Sequence, residues 1–287
     1  MSESARIRGL AGRLRGALSR GRADMTRRIG LRTGLGGTAF TPYVKEKEVE
    51  GERFSFYVGD RDGREWYDLQ ATDPVWREMR LLRDMLLQPG QVVLEVGAHH
   101  GCTAILLSRW VGAAGRVIAF EPLPHNAAII ERNIALNHLV NVEIVSGAVG
   151  ASRGEVLMND ASSNGQVIRE GLQGQGVHVP MVMLDDYIGS APDLLKIDCE
   201  GYEIEVLRGA ARLLRDRRPA LHIEVHADNL RACGQDPVEL FDILDAYGCW
   251  RTWTYYGEYD YLQSWYPGDD TPPWPRFHLL ARPDSKA

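Results

Sequence analysis

No stretch of this sequence is long and apolar enough to span a bilayer, and no secretory core follows its N-terminal basic residues, so neither a membrane-spanning nor an exported chain is expected. Cysteine is scarce. Cys102, Cys199, Cys233 and Cys249 are scattered with no C-x-x-C pair, which excludes a disulfide framework, offers no zinc-ligand spacing and suits a reducing, cytoplasmic setting. Excess positive charge is also missing, and a net charge of −6 over 287 residues argues against nucleic acid as the main partner. Lysine is absent from Met1 to Arg32, which carries nine arginines and only Glu3 and Asp24 as acids. With Ile7, Leu10, Leu14 and Leu18 at near-helical spacing, this arm could lie on a membrane surface or an acidic partner. Its apolar face is thin and broken by glycines, so a solvated tail is the expectation. The remaining composition, 44% hydrophobic and 25% charged, is that of an ordinary soluble chain with a sizeable core.

Three segments are expected: a basic arm and linker over 1–40, a hairpin and helix cover over 41–90, and the main domain over 91–287. Phe54, Phe56 and Val58 alternate with polar residues before Asp62-Gly63, and Trp66 follows, which predicts a hairpin with a tight turn there. Asp73-Pro74 opens a helix whose buried stripe is Trp76, Met79, Leu82, Met85 and Leu86, and Pro89-Gly90 closes it. Beyond residue 91, apolar runs at Val92–Val96, Val117–Phe120, Val142–Val145, Leu194–Ile197 and Leu221–Val225 alternate with helical patterns. Near-continuous apolar strands separated by helices mean an α/β fold, a mostly parallel sheet with helices on both faces. An inserted pair of strands is expected between Gly154 and Leu184, with its turn at Ala161–Gly165. Trp250–Tyr255 and Phe277–Ala281 are expected to be the last two strands, the final one antiparallel.

The first apolar run leads into Glu95-Val96-Gly97-Ala98-His99-His100-Gly101, and the second ends in Phe120-Glu121-Pro122. A strand, a glycine turn opening a helix, and a second strand ending in an acid form a nucleotide-binding βαβ unit. A dinucleotide fold wants glycine at the middle of the turn, where the pyrophosphate approaches the backbone. Here that position is His99, which disfavours a nicotinamide-dependent oxidoreductase, and no Tyr-x-x-x-Lys hydride-site pair is evident. An acid before the turn instead suits a cationic ligand without a pyrophosphate, such as S-adenosylmethionine. The expected cofactor-binding residues are Glu95, Gly97, Ala98, His99, Gly101, Glu121, Pro122, Asn126 and Ala148, with Glu121 accepting from the ribose hydroxyls. The plainer alternative is an ordinary βαβ turn with Glu121 as a surface acid.

Asp193-Leu194-Leu195-Lys196-Ile197-Asp198-Cys199-Glu200-Gly201-Tyr202-Glu203, followed by Val206-Leu207-Arg208-Gly209-Ala210, closely resembles the hallmark of the FkbM-type methyltransferases. The likeness extends to Met183–Asp186, to Ile223-Glu224, and to Glu121-Pro122-x-Pro124-x-Asn126 with Asn133 and Asn137. It covers some two hundred residues from the hairpin onward and leaves out the arginine arm. One departure stands out: the family's turn reads Gly-Ala-Asn-x-Gly, and His99-His100 replaces its middle. The resemblance implies a class I methyltransferase fold and methyl transfer from S-adenosylmethionine to a hydroxyl of a polyketide, sugar or other secondary metabolite.

Such transfer needs an acceptor oxygen held in line and its proton removed. Asp198, Glu224 and His226, where the fourth and fifth parallel strands end, are the catalytic candidates, with Glu200 beside them. A histidine near neutral pH suits proton removal, although a lone histidine after a strand is commonly structural. Asp198 and Glu224 could instead hold a divalent cation such as Mg, with Glu200 or water completing its oxygen coordination. Glu200 and Glu203 also read simply as acids in a helix's first turn. Trp253, Tyr255, Tyr256, Tyr259, Tyr261, Trp265, Tyr266 and Trp274 suggest a wall for a ringed small-molecule substrate, or equally a homodimer interface. A non-catalytic binding module on the same fold is the remaining alternative.

Overall fold

The computed structural model describes residues 40–69, 76–168, 176–248, 250–257, 260–265, 269 and 275–284. By its contacts the chain divides into Met1–Phe40 and Thr41–Ala287, and the described sheets and helices belong to the second unit. The amphipathic pattern of the arm, the glycine linker, the Asp73-Pro74 helix start, Cys249, Tyr259, Tyr266 and Trp274 lie outside the described residues. Among the described residues no helix is long and apolar enough to cross a membrane.

β1 (Tyr43–Val49) and β2 (Glu52–Val58) form an antiparallel hairpin whose turn is Glu50-Gly51, both at positive φ. The turn is therefore not at Asp62-Gly63. There Asp60 instead caps a one-turn helix, α1 (Arg61–Arg64), by accepting from Gly63 N at 2.7 Å. A single π-helical turn, Glu65–Leu69, comes next. α2 (Arg77–Leu86) then buries Met79, Leu82 and Leu86, the stripe its sequence spacing announces.

The main sheet runs β13-β12-β14-β11-β10-β3-β4-β5. Its parallel strands are β3 (Val92–Val96), β4 (Arg116–Glu121), β5 (Val142–Ser146), β10 (Leu194–Ile197) and β11 (Ala220–Val225). Beside β11 lie β14 (Phe277–Pro283), β12 (Trp250–Tyr256) and β13 (Tyr261–Trp265), each antiparallel to its neighbour. The chain thus ends in three antiparallel strands rather than two, and the last in sequence sits between β11 and β12. β13 escapes the sequence pattern because it is a sheet edge, with Tyr261 and Leu262 exposed.

Helices cover both faces. α3 (Cys102–Val111) and α4 (Pro124–Leu136) follow β3 and β4, while α5 (Glu203–Arg208), α6 (Ala211–Asp216), α7 (Ala227–Ala232) and α8 (Val238–Ala246) flank β10 and β11. Strand alternation sorts the core. Leu94, Val96, Leu195, Ile197, Leu221, Ile223, Phe277 and Leu279 join one cluster; Val93, Leu194 and Leu280 join α2 and α3 in the other. A smaller sheet, β6-β9-β7-β8, is built from β6 (Ala148–Val149), β7 (Gly154–Asn159), β8 (Gln166–Val167) and β9 (Val177–Val182). The antiparallel β7 and β9 are the inserted pair, and the 161–165 turn leads from β7 into β8.

The hairpin is tied to the domain by side-chain amides that stand in for a strand. Asn137 accepts from Ser55 N at 3.2 Å and donates to Ser55 O at 2.7 Å. Asn133, fully buried, accepts from Tyr57 N at 2.7 Å and donates to His100 O at 2.9 Å. An amide offers the same donor and acceptor as a peptide group, so β2 is laddered onto α4 without another strand. Each buried group left unpaired would cost about 1–3 kcal/mol.

Candidate active site

The glycine turn between β3 and α3 brings together Glu95, Gly97, Ala98, His99, Gly101 and Glu121. Gly97 has φ +83°, and a Cβ there would lie 1.8 Å from the carbonyl oxygen of Asp198. The turn therefore touches the end of β10 directly. His99 also takes a left-handed conformation, φ 51°, and its N–H donates to Glu121 Oε2 at 2.8 Å. Glu121 Oε1 accepts from Leu123 N and from Asn126 Nδ2, both at 3.0 Å. Asn126 is itself buried and fully engaged, donating to Ser163 O at 2.8 Å and meeting His100 Nε2 at 3.1 Å. Buried amides must be satisfied, and this one positions Glu121. Pro122 spaces Glu121 from Leu123. Ala148 is buried with Leu123, Met158 and Val179.

The two histidines of the turn are stacked, 4.1 Å between centroids at 6°. His99 Nδ1 lies 2.7 Å from Tyr67 Oη and its Nε2 lies 2.9 Å from Ser163 Oγ. Burial pushes the His99 imidazole well below its usual pKa, so the ring is neutral, one nitrogen donating and the other accepting. Ser163 N donates to Asp62 Oδ2 at 2.8 Å, which ties the 161–165 turn to α1 above the glycine turn. Tyr67, on the π-helical turn, sits close enough to Glu95, Glu121 and Asp198 to feel their charges. Sequence reasoning missed Tyr67, because a π-turn has no residue signature of its own.

Burial raises the Glu121 carboxyl from 4.5 to about 7, against hydrogen bonds from Leu123, Asn126 and His99; the nearby Asp198 charge raises it further. A carboxyl so raised leaves stability untouched below pH 4.5 and weakens the fold as pH climbs to about 7. Ligand binding runs the other way, since ribose hydroxyls donate best to the ionised form. S-adenosylhomocysteine should bind about tenfold more tightly at pH 8 than at pH 6, the ratio of ionised fractions about a pKa near 7. Calorimetry at both pH values checks this, and an affinity flat across that range would remove Glu121 from the ribose site.

Where β10 and β11 end, Asp198, Glu224 and His226 each offer a ligand atom within 4.8 Å of the others'. Strand register explains the convergence. Glu95 pairs with Lys196, Lys196 with His222, and Glu224 with His278, so one face of the sheet carries a polar row toward α2. Lys196 Nζ lies 3.7 Å from both Glu95 and Asp198, linking the glycine turn to the end of β10. Burial would lower the Lys196 pKa, but Asp198 and Glu95 hold it above its usual value. Burial and then the Glu224 charge raise Asp198, and the same pair of causes raises Glu78 of α2. Arg276 Nη1 lies 3.2 Å from Glu224.

His226 Nδ1 meets Glu203 Oε1 at 2.8 Å, and its Nε2 lies 3.5 Å from Glu200 and 3.8 Å from Glu224. Burial lowers its pKa, yet the Glu203 hydrogen bond and the Glu200 and Glu224 charges prevail and push it up to about 10. Without a competing cation the ring therefore favours its protonated form. Glu203, expected only in a first turn, is fully buried and orients His226. Glu200 Oε1 accepts from Asn164 Nδ2 at 2.9 Å while it faces His226 Nε2. Of the aromatic segment, Tyr255 and Tyr256 are buried, so neither offers a free face for a ring, and, being consecutive on β12, they are covered on opposite faces of the sheet.

The residues fit S-adenosylmethionine. Glu95, held by Thr103, keeps its buried Oε2 without a hydrogen-bond partner among the described residues, the acceptor that an ammonium group requires. A family profile described as the Methyltransferase FkbM domain matches residues 95–249. A Schizosaccharomyces pombe protein named provisionally as a ribosomal RNA methyltransferase is 35% identical over 83 residues, 28% of this chain. The chain spans only 27% of that relative's length. The solved FkbM methyltransferase of Methylobacillus flagellatus is 17% identical, with a TM-score of 0.48 over 69% of this chain and 45% of that one. Fibrillarin from Aeropyrum pernix, solved with natively bound S-adenosyl-L-methionine, is 13% identical, with a TM-score of 0.46 over 86% and 84%.

Proposed function

The chain belongs to the FkbM methyltransferase family, and from that premise we propose that it is an S-adenosylmethionine-dependent methyltransferase acting on a hydroxyl oxygen of a small molecule such as a polyketide or sugar. One observation carries this reading: the carboxylate-bearing end of β10 abuts the glycine turn, at the Gly97–Asp198 contact. A cofactor seated on the turn therefore has an acidic cluster beside its reactive end.

Bound S-adenosylmethionine supplies an electrophilic methyl group on a sulfonium. Glu95 and Glu121 hold its amino-acid and ribose ends, and Lys196 keeps Glu95 and Asp198 apart yet paired. Asp198 and Glu224 orient the acceptor hydroxyl, and the Asp198 carboxylate takes its proton. Alignment and a placed base together suffice for this chemistry.

Calorimetry with S-adenosylhomocysteine beside NAD tests the cofactor, and methyl-labelled S-adenosylmethionine with hydroxylated polyketides and sugars tests the acceptor. Saturation at about 100 times the dissociation constant should add about 2.7 kcal/mol to stability. Label recovered as an O-methyl ether supports the reading. Label found only on nitrogen or carbon overturns the hydroxyl assignment while leaving methyl transfer in place.

A further inference from the structure

Resting on the acceptor end of that site, we infer that Asp198, Glu224 and His226 bind a first-row transition dication of the Mn(II) kind. The cluster is not merely acidic. Its three ligand atoms lie within 4.8 Å of one another and come from the adjacent ends of β10 and β11, where the backbone fixes their spacing. His226 is presented as a metal ligand is: Nδ1 is held by the fully buried carboxylate of Glu203 at 2.8 Å, which leaves Nε2 toward Glu200 and Glu224, 3.5 and 3.8 Å away. A carboxylate behind the ring fixes its tautomer and strengthens the nitrogen it offers to a cation.

One further observation points to an unfilled position beside the cluster. His278, the cross-strand partner of Glu224, lies near enough to Asp198 and His226 to feel both, and its buried Nδ1 has no hydrogen-bond partner among the described residues. The identity of the ion is set by the donors. Carboxylates alone would suit magnesium or calcium, whereas an imidazole with two carboxylates suits manganese or iron. An all-oxygen, Mg-type site completed by Glu200 would draw on a carboxylate that already accepts from Asn164 and Asn229. A cation so held would bind the acceptor's oxygen and acidify its hydroxyl.

Chelator-stripped protein titrated with MnCl₂, with free Mn(II) followed by electron paramagnetic resonance, tests the inference. One ion per chain is expected. Glu203→Gln, which removes no ligand, should weaken uptake about 10–100-fold, and Mg(II) should compete at least about tenfold less well. Should Glu203→Gln fail to fold by circular dichroism, Glu224→Gln, at a side chain 18% exposed, takes its place and should abolish uptake. No uptake by the wild-type protein, unchanged uptake in a folded variant, or Mg(II) binding as tightly as Mn(II) overturns the inference. S-adenosylhomocysteine affinity, measured on the same stripped protein, keeps the two readings apart. Its retention with no Mn(II) uptake sinks the metal alone, and its loss sinks the cofactor assignment.

Discussion

Gly97→Ala should abolish measurable S-adenosylhomocysteine binding, a loss of at least about 100-fold or 2.7 kcal/mol, and should lower stability as well. Two penalties combine at this residue. Its φ of +83° is a left-handed conformation, which costs an L-residue roughly 1–2 kcal/mol. The added Cβ would also lie 1.8 Å from Asp198 O, a backbone atom that cannot rotate away. Relief requires β3 and β10 to part where Asp198 N donates to Val96 O at 3.0 Å, so the turn and the acceptor carboxylate are displaced together. Gly90→Ala separates the two penalties. Gly90 has φ +86° with nothing within 4 Å of its would-be Cβ, so it bears the strain without the clash. It should lose stability by roughly 1–2 kcal/mol and bind the nucleoside normally. Calorimetry on both proteins reads the difference, and a Gly97→Ala protein with undiminished affinity would show that the turn does not hold the cofactor.

The sequence announces this turn plainly because its signals are local: Glu95, Gly97, Gly101 and Glu121 keep fixed spacings within one βαβ unit. The parallel strands were legible for a related reason, since burial on both faces leaves near-continuous apolar runs. What could not be read depends on register between distant segments. Lys196 stands inside an apolar strand, and only its pairing with Glu95 and His222 shows that it joins a row crossing the sheet. Glu203 reads as a helix-capping acid until β11 carries His226 to it. Tyr67 and Glu78 reach the cleft through the packing of the cover segment, whose spacing says only that one face is buried. The hairpin turn was misplaced because Glu50-Gly51 lacks the usual asparagine or aspartate, while Asp62-Gly63 has the right residues and serves a helix instead. The stray charge within an apolar strand was the one usable clue to the polar row.

Asp198→Asn should lower kcat by about 10²–10⁴-fold, the range for losing a placed proton acceptor, with S-adenosylhomocysteine affinity held within about threefold. The contrast with Gly97 arises from which atom of Asp198 does what. Its carbonyl oxygen packs against Gly97 and its N–H donates to Val96 O, and both survive the substitution. Its side chain, 32% exposed, opens into the cleft, and an amide of the same shape leaves the turn undisturbed. Lys196 loses one charged neighbour but keeps Glu95 at 3.7 Å, so the buried ammonium stays paired. The amide can neither take a proton nor serve well as an anionic ligand, so added Mn(II) should not restore turnover. A variant that turns over within a few fold of the wild type would move the chemistry to Glu224, the other carboxylate of the cluster, because no rearrangement of the cofactor turn could compensate for a required base.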